Sequence, residues 1–237
     1  MEEKKPKSYV KYAIGEIVLV VIGILIAVQL NNWNEKRISS NNAREFITDL
    51  QKDLQTDTSV FGAEIRKIDR LIDYKKWILS LENFDSVPIE YLEGVPQIGY
   101  HNIKIITGTM IRMRNADVWN TKKYRSFFKS LNSYYTFNEP YLNNLNEWEK
   151  VGAEKEFSFW NEQGEFEVLY NTIDSVDLFQ DSVVRRKKLN QLITSTKGRN
   201  YIKMSVNREA VMGRTYKGVY KIAKKLLGEI EEVTKNG

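Results

Sequence analysis

Apolar and polar positions divide the chain into one strongly apolar segment near the N-terminus and a long amphipathic remainder. The apolar segment runs from Tyr12 to Leu30 and reads YAIGEIVLVVIGILIAVQL. A helix of about 20 apolar residues spans the hydrocarbon core of a bilayer, which is ~30 Å thick. The pattern therefore predicts a short basic tail over residues 1–11, a transmembrane helix over residues 12–32 and a polar domain over residues 33–237.

The charges on the two sides of this helix predict its orientation. Basic residues lie at Lys4, Lys5, Lys7 and Lys11 before the helix and at Lys36 and Arg37 after it. Because basic flanks stay in the cytoplasm, we expect a cytoplasmic N-terminus and a periplasmic domain, anchored in the cytoplasmic (inner) membrane. A cleaved signal peptide begins in a similar way. The absence of an A-x-A-like site after the run, and the helical pattern that follows it, favour an uncleaved anchor.

One face of the apolar segment has the composition of a helix–helix contact. Glu16, Val20, Gly23 and Ala27 fall on this face at spacings of four, three and four. Small residues allow close approach of two helices in a membrane. The face therefore predicts contact with a second copy of the chain or with another membrane protein. The alternative is that Glu16, near the end of the helix, reaches the lipid headgroups.

The segment KYAIGEIVLVVIGILIAVQLNNWNEKR, from Lys11 to Arg37, carries a family resemblance. Its pattern GEI…GILIA-x-Q-x-NNWNE resembles the N-terminal signature of uncharacterised single-pass membrane proteins from Bacteroidetes-group bacteria. The resemblance implies anchoring in the inner membrane and a helical domain outside the cytoplasm. It implies no catalytic residues, because the family has no established activity.

Beyond the apolar segment, a helical stripe of large apolar residues begins. Its members are Ile47, Leu50, Leu54, Phe61, Ile65, Ile68, Ile72 and Leu79, at spacings of three and four with seven between Leu54 and Phe61. Such periodicity is typical of a helix with one buried face. No proline lies between residues 8 and 87. The transmembrane helix is therefore predicted to continue into a long first helix of the polar domain.

Acidic residues follow the polar side of this first helix. Glu45, Asp49, Asp53 and Asp57 lie four residues apart. Carboxylate oxygens suit hard divalent cations. A solvated helix face neutralised by nearby basic residues has the same pattern, and we favour that interpretation. No metal site is predicted.

The centre of the chain is less regular. Ile103 to Ile111 is rich in β-branched residues and predicts either a short strand or the start of a helix. His101, the single histidine, is expected to be a surface or hydrogen-bonded residue. A third helix begins at Asn120 or Thr121, has a buried aromatic face from Tyr124 to Tyr135, and is predicted to kink or break at Pro140.

The clearest repeat lies near the C-terminus. Met212, Val219, Leu226 and Val233 recur every seven residues, and Tyr216, Ala223 and Ile230 occupy the complementary positions. A heptad seam of this kind packs against another helix at a shallow angle. The partner is either the long first helix of the same chain or a second copy of the chain.

Composition narrows the classes of function. The net charge is +5, from 36 basic and 31 acidic residues, and their mixed distribution does not indicate a nucleic-acid surface. The chain has no cysteine and one histidine, which excludes thiolate chemistry and any site with two imidazoles. The basic run Arg185–Lys188 is the charged face of a helix in our interpretation. No nucleotide-binding, nucleophile-elbow or zinc-protease motif is present.

Together these patterns predict an all-α protein, with one N-terminal transmembrane helix continuing into a bundle of about four long helices. The expected partners are the lipid bilayer and either a second copy or another membrane protein, with no nucleic acid and no cofactor. The expected function is a non-enzymatic membrane-anchored sensor, adaptor or scaffold that binds a ligand or partner outside the cytoplasmic membrane. The alternatives are an accessory subunit of a membrane complex and an enzyme that uses two carboxylates.

Overall fold

The computed structural model describes residues 7–114, 124–167 and 178–235. All regular structure in these ranges is helical, as the periodicity predicted. The helices are α1 (Lys7–Ser80), α2 (Ile89–Glu93), α3 (Gly108–Arg114), α4 (Arg125–Ser133), α5 (Glu139–Gln163), α6 (Ser182–Thr194) and α7 (Thr196–Lys235). A π-helical turn, Tyr134–Asn138, joins α4 to α5.

Helix α1 is the axis of the molecule. It contains 74 residues without a break, which corresponds to a length of about 110 Å. Residues 11–38 are exposed, and from Ala43 onward one face of the helix is buried. The exposed part includes the apolar segment, which is long and apolar enough to cross a membrane.

Helix α7 packs antiparallel along the buried face of α1. Ile68 and Gly213 lie at one close crossing of the two helices, where a Cβ added to Gly213 would lie 3.1 Å from Ile68 Cγ2. Further along, the ring of Phe61 meets the ring of Tyr216 edge-on, with centroids 5.3 Å apart. Helix α4, the π-helical turn and α5 cover the remaining side of the bundle.

Two apolar cores fill the bundle. The first lies between α1, α3, α4 and α7 and contains Leu50, Phe61, Phe128 and Met212. The second lies at the far end, between the end of α1, α2, α5 and α6, and contains Trp160 and Ile193. A layer of buried charged residues separates them.

Two local predictions from the centre of the chain, a possible strand and the start of a helix, differ from the structure or extend beyond the described residues. The strand considered for Ile103–Ile111 does not form: residues 97–107 are irregular, and α3 begins at Gly108. The helix predicted from Asn120 or Thr121 begins outside the described residues, and α4 starts at Arg125.

The change in helix geometry before Pro140 has a simple cause. Proline lacks the N–H group that would continue the helical hydrogen-bond ladder, and its ring crowds the preceding turn. Pro140 occupies the first turn of α5, where a missing N–H is tolerated. The preceding turn widens to the π-helical form, and both Tyr134 and Tyr135 are buried there.

Candidate functional site

A buried layer of charged residues crosses the bundle between the two cores. Lys75 of α1, Glu149 and Glu156 of α5, and Arg208 and Glu209 of α7 form it, and all five are buried. In the sequence of α1, Lys75 lies between Ile68 of the first core and Ile78 of the second. The layer therefore ties the three longest described helices together at one level.

One half of the layer joins α1 to α7. Lys75 Nζ lies 2.6 Å from Glu209 Oε1 and 2.5 Å from Ser205 Oγ. The other carboxylate oxygen, Glu209 Oε2, is buried and accepts no hydrogen bond within the described part of the chain. Burial raises the pKa of Glu209 against the opposing effect of the Lys75 charge.

The other half joins α5 to α7. Arg208 Nε donates to Glu149 Oε2 at 2.9 Å, and its Nη2 donates to Glu156 Oε2 at 2.8 Å. Burial opposes the charge of Arg208, but the two carboxylates outweigh it, so the pKa of Arg208 is raised. Each buried acid on α5 thus has a charged hydrogen-bond donor, which buried charges require.

His101 lies beside this layer. It is buried, and its Nδ1 lies 2.6 Å from Glu64 Oε1 of α1. A surface or hydrogen-bonded histidine was predicted at this position, and His101 is the hydrogen-bonded kind, with its partner Glu64 lying 37 residues earlier in the chain. The contact fixes the start of residues 101–107 on α1.

Residues 101–107 cross the bundle in an irregular conformation, and side chains from three helices hold their backbone. Ile106 N–H donates to Asp57 Oδ1 of α1 at 3.1 Å. The Ile103 carbonyl accepts from Asn146 Nδ2 of α5 at 2.9 Å, and Ile103 N–H donates to Tyr216 Oη of α7 at 3.4 Å. Because no strand partner is present here, these bonds satisfy backbone groups that burial would otherwise leave unpaired.

Asp57 is the acid with the clearest change in pKa. It is only 2% exposed, and burial raises its pKa to about 6. The bonds from Ile106 N–H and from Tyr134 Oη, at 3.3 Å, oppose this effect, and the nearby charge of Asp53 adds to it. Asp57 therefore couples α1 to both the crossing residues and the π-helical turn.

A polar cleft of about 340 Å³ lies between residues 102–107 and the first half of α5. Its lining is dominated by amide side chains from both walls, with hydroxyl and charged groups between them: Asn102, Thr107, Asn143, Asn144, Asn146 and Glu147. Asn146 is buried and also holds Ile103 in place. The cleft therefore shares a wall with the contacts that reach α1.

The residues predicted as a membrane contact face lie on the exposed part of α1. Glu16, Val20, Gly23 and Ala27 are all exposed. No atom lies within 4 Å of a Cβ added to Gly23. The described part of this single chain therefore leaves the face uncovered, far from the charged layer and the cleft.

The predicted seam of α7 lies against α1 of the same chain. Its buried members are Met212, Tyr216, Val219, Ala223, Leu226 and Ile230, and Val233 is partly buried at the end. The two partners considered for this seam were the long first helix of the same chain and a second copy of the chain. In the structure the seam packs against the first helix, α1.

Sequence reasoning missed the buried charges, although a signal for them was present. Asp57 fills the seven-residue gap in the α1 stripe between Leu54 and Phe61. Extending the α7 heptad backward by seven from Met212 and Tyr216 reaches Ser205 and Glu209. Polar residues at positions that continue an apolar stripe indicate a buried polar layer.

Asp53 and Asp57, from the acidic ladder, also face inward in part. Asp57 is buried, and one oxygen of Asp53 is buried without a described partner. Asp49 instead lies 2.9 Å from Arg112 of α3. Within the described residues, no group of three or more histidine or acidic side chains could hold a metal ion.

The basic run Arg185–Lys188 also serves packing. Arg185 Nε donates to Glu93 of α2 at 2.9 Å, and both residues are buried. Arg186 donates to the carbonyl oxygens of Phe84 and Val87. These two arginines attach α6 to the segment around α2.

Part of the chain is similar to one known protein family. Residues 16–99 match a family of unknown function (DUF6090). No curated protein and no solved structure matches the chain. The matched residues include most of α1 and all of α2, and they end before the cleft residues that begin at Asn102.

Proposed function

We propose that the chain is a non-enzymatic, membrane-anchored sensor whose bundle binds a ligand or partner outside the cytoplasmic membrane. The exposed apolar part of α1 is the anchor, and the lysines before it support a cytoplasmic N-terminus. The signature from Lys11 to Arg37 supports a place among the single-pass inner-membrane proteins of Bacteroidetes-group bacteria.

The unbroken course of α1 is the observation that carries this proposal. One helix contains the exposed apolar segment and, further along, Asp57, Glu64 and Lys75. These three residues contact the crossing residues, His101 and α7 respectively. A shift of the polar contacts in the bundle therefore acts on the same rigid element that enters the membrane.

The signal leaves through the membrane segment in this proposal. The face formed by Glu16, Val20, Gly23 and Ala27 then contacts a second copy of the chain or another membrane protein. A displacement or rotation of α1 changes that contact.

The acids with a raised pKa favour a binding protein over a carboxylate enzyme, since neither Asp57 nor Glu209 lines the cleft. A catalytic acid with a raised pKa is expected to face a cleft. Asp57 has a raised pKa, but it bonds to Ile106 N–H and Tyr134 Oη and does not line the cleft beside α5. Glu149 and Glu156 are bound by Arg208.

Protease treatment of intact spheroplasts tests the orientation. We expect protease added outside to remove the region after Arg37 and to leave a small membrane fragment. Full protection in intact spheroplasts, with cleavage after lysis, would place the bundle in the cytoplasm. That result would contradict a sensor whose bundle lies outside the cytoplasmic membrane.

Insertions after Arg37 test transmission along α1. The chain has no cysteine, so Ala27→Cys provides a single thiol for cross-linking in membranes. Two inserted alanines rotate the bundle by about 200° relative to the span, whereas seven restore its phase to within about 20°. We expect cross-linking of Ala27→Cys to change with two residues and to be preserved with seven.

The same cross-linking distinguishes the alternatives. Equal patterns for both insertions would show that α1 does not transmit, and would contradict a sensor. Cross-linking to one different protein at constant stoichiometry, indifferent to the insertions, would identify an accessory subunit.

A further inference from the structure

We infer that the cleft between residues 102–107 and α5 is a binding site for a short neutral oligosaccharide. This inference rests on the proposed function, since it names the ligand class that the sensor receives. It is carried by the chemistry of the cleft lining, by the unpaired polar groups on both of its walls and by the wall that it shares with the contacts to α1.

More than half of the lining residues, the four asparagines and Thr107, can both donate and accept hydrogen bonds. Four of its residues are asparagines, and each amide side chain supplies a donor group and an acceptor group. Sugar hydroxyls likewise donate and accept, so amide-rich walls match them better than they match a purely anionic or cationic ligand. Lys104, Glu139 and Glu147 give the lining mixed charge, which does not select a strongly charged molecule.

Much of this hydrogen-bonding capacity is unused inside the protein. The side chains of Asn102, Lys104, Asn144 and Glu147 form no hydrogen bond or ion pair with the described residues, while Asn143 donates to Glu139 at 3.0 Å. The free groups lie on both walls, so one ligand can bridge the crossing residues and α5. The volume of about 340 Å³ is within the range of small-ligand sites.

Two exposed aromatic side chains lie beside Asn144 at the outer rim of the cleft on α5, and neither lines the cleft itself. Tyr141 precedes Asn144 by three residues and Trp148 follows it by four, so both neighbour Asn144 on the helix surface. Tyr141 is 55% exposed and Trp148 is 45% exposed. The apolar C–H face of a sugar ring stacks on exposed aromatic rings of this kind. A second sugar unit leaving the cleft reaches this rim.

The wall of the cleft leads directly to α1. Asn146 lines the cleft and binds both the Ile103 carbonyl and Tyr216 Oη, the latter at 3.3 Å. The same crossing residues end on Asp57 through Ile106 N–H. A ligand that draws Asn102 and Lys104 toward α5 therefore pulls on bonds whose other end is the membrane-entering helix.

Titration of the full-length protein in nanodiscs tests the site. The probes are tetrasaccharides of glucose, mannose and N-acetylglucosamine, with tetra-alanine as the peptide comparison, and binding is measured by calorimetry. We expect one saccharide to bind with a Kd of about 0.1–1 mM, as suits an open cleft. Asn144→Ala and Trp148→Ala should each weaken binding about tenfold.

Matched variants on the same helix control for general effects. Asn161→Ala removes an exposed amide outside the cleft, and Phe157→Ala removes an exposed ring further along α5 that does not line the cleft. Both should bind the saccharide like the unmodified protein. Equal loss in the cleft variants and these controls would overturn the site, as would saturable binding of tetra-alanine or of no saccharide in the panel.

The outcome is separable from that of the sensor proposal. Saccharide binding without any change in Ala27→Cys cross-linking would leave the site in place and contradict the sensor. Cross-linking of Ala27→Cys could change with two inserted alanines and not with seven, while no saccharide binds. That result would support the sensor and overturn the ligand class. Binding that also changes the cross-linking supports both.

Discussion

The side chain of Arg208 occupies the space that Gly152 leaves on α5. A Cβ added to Gly152 would lie 2.4 Å from Arg208 Cδ and 3.0 Å from Arg208 Nε. The arginine reaches Glu149 on one side of this glycine and Glu156 on the other, each close to one helical turn away. A glycine in the middle of a 25-residue helix costs about 1 kcal/mol relative to alanine, and here it permits a buried cation between two acids.

Gly152→Ala should therefore destabilise the bundle despite the better helix propensity of alanine. The added methyl group displaces the guanidinium from at least one carboxylate, and we expect a loss of about 2–4 kcal/mol. Chemical denaturation followed by circular dichroism measures it. Gly218→Ala on α7 is the matched control, because nothing lies within 4 Å of its added Cβ. An equal, small effect of both substitutions would show that Arg208 moves aside freely.

Removal of Arg208 alone should destabilise the bundle more than removal of Arg208 together with the charges of Glu149 and Glu156. Arg208→Met leaves Glu149 and Glu156 buried without their donors, and a buried pair broken in this way costs about 3–5 kcal/mol. The triple variant Arg208→Met, Glu149→Gln, Glu156→Gln carries no unpaired buried charge, so it should unfold at a higher denaturant concentration than the single variant. The reverse order would mean that the acids are hydrated after the arginine is lost.

The helical architecture could be predicted because it depends on periodic apolar positions. The stripe from Ile47 and the heptad from Met212 each describe a face that local chemistry and helix geometry alone determine. The charged layer was missed because it interrupts these stripes. Lys75 and Glu209 are 134 residues apart in the chain, and each looks like an ordinary surface residue until the register of α1 against α7 is known.

Asp57, which interrupts the apolar stripe of α1, gives a pH-dependent prediction. The pKa of Asp57 in the folded protein is about 6, above its ordinary value of 3.8. The folded state then binds the proton more tightly than the unfolded state, so this group's stabilising contribution is present below pH 4 and is lost as the pH rises through 6. One pKa unit corresponds to about 1.4 kcal/mol, so the loss at neutral pH is about 3 kcal/mol.

Asp57→Asn should remove this pH dependence. The amide oxygen still accepts from Ile106 N–H, and the amide nitrogen can donate to Tyr134 Oη, so the local bonds are kept. The variant should match the unmodified protein at pH 4 and exceed its melting temperature at pH 7.5. Thermal unfolding at both pH values measures this. A variant less stable at both would show that the ionised carboxylate is needed for the contact with the crossing residues.

The cleft and residues 101–107 lie beyond what sequence reasoning could reach. The composition of Ile103 to Ile111 predicted either a short strand or the start of a helix. Neither alternative indicates which side chains hold the irregular backbone before Gly108. The answer lies in side chains from α1, α5 and α7, whose proximity depends on the finished bundle. Asn146 gave no local signal, because an asparagine within a helix is ordinarily solvent-exposed.

Tyr216 provides the final test of how these crossing residues are held. Its hydroxyl accepts from Ile103 N–H and donates to Asn146 Oδ1, while its ring packs edge-on against Phe61. Tyr216→Phe keeps the ring contact and removes only the hydroxyl, so Ile103 N–H loses its partner and the protein should lose about 1–3 kcal/mol of stability. Hydrogen exchange at the Ile103 amide should become faster, while exchange in the α1 amides beside Phe61 stays protected.

The neighbouring Tyr220 supplies the control for that substitution. It lies one turn further along α7, and its hydroxyl forms no hydrogen bond with the described residues, so Tyr220→Phe should change stability by less than about 0.5 kcal/mol. Faster exchange at Ile103 in Tyr216→Phe alone would show that the hydroxyl anchors the crossing residues. Unchanged exchange there would mean that Asn146 and Asp57 hold them without Tyr216, and the path from the cleft to α1 would then run through the contacts with Asp57 and Glu64.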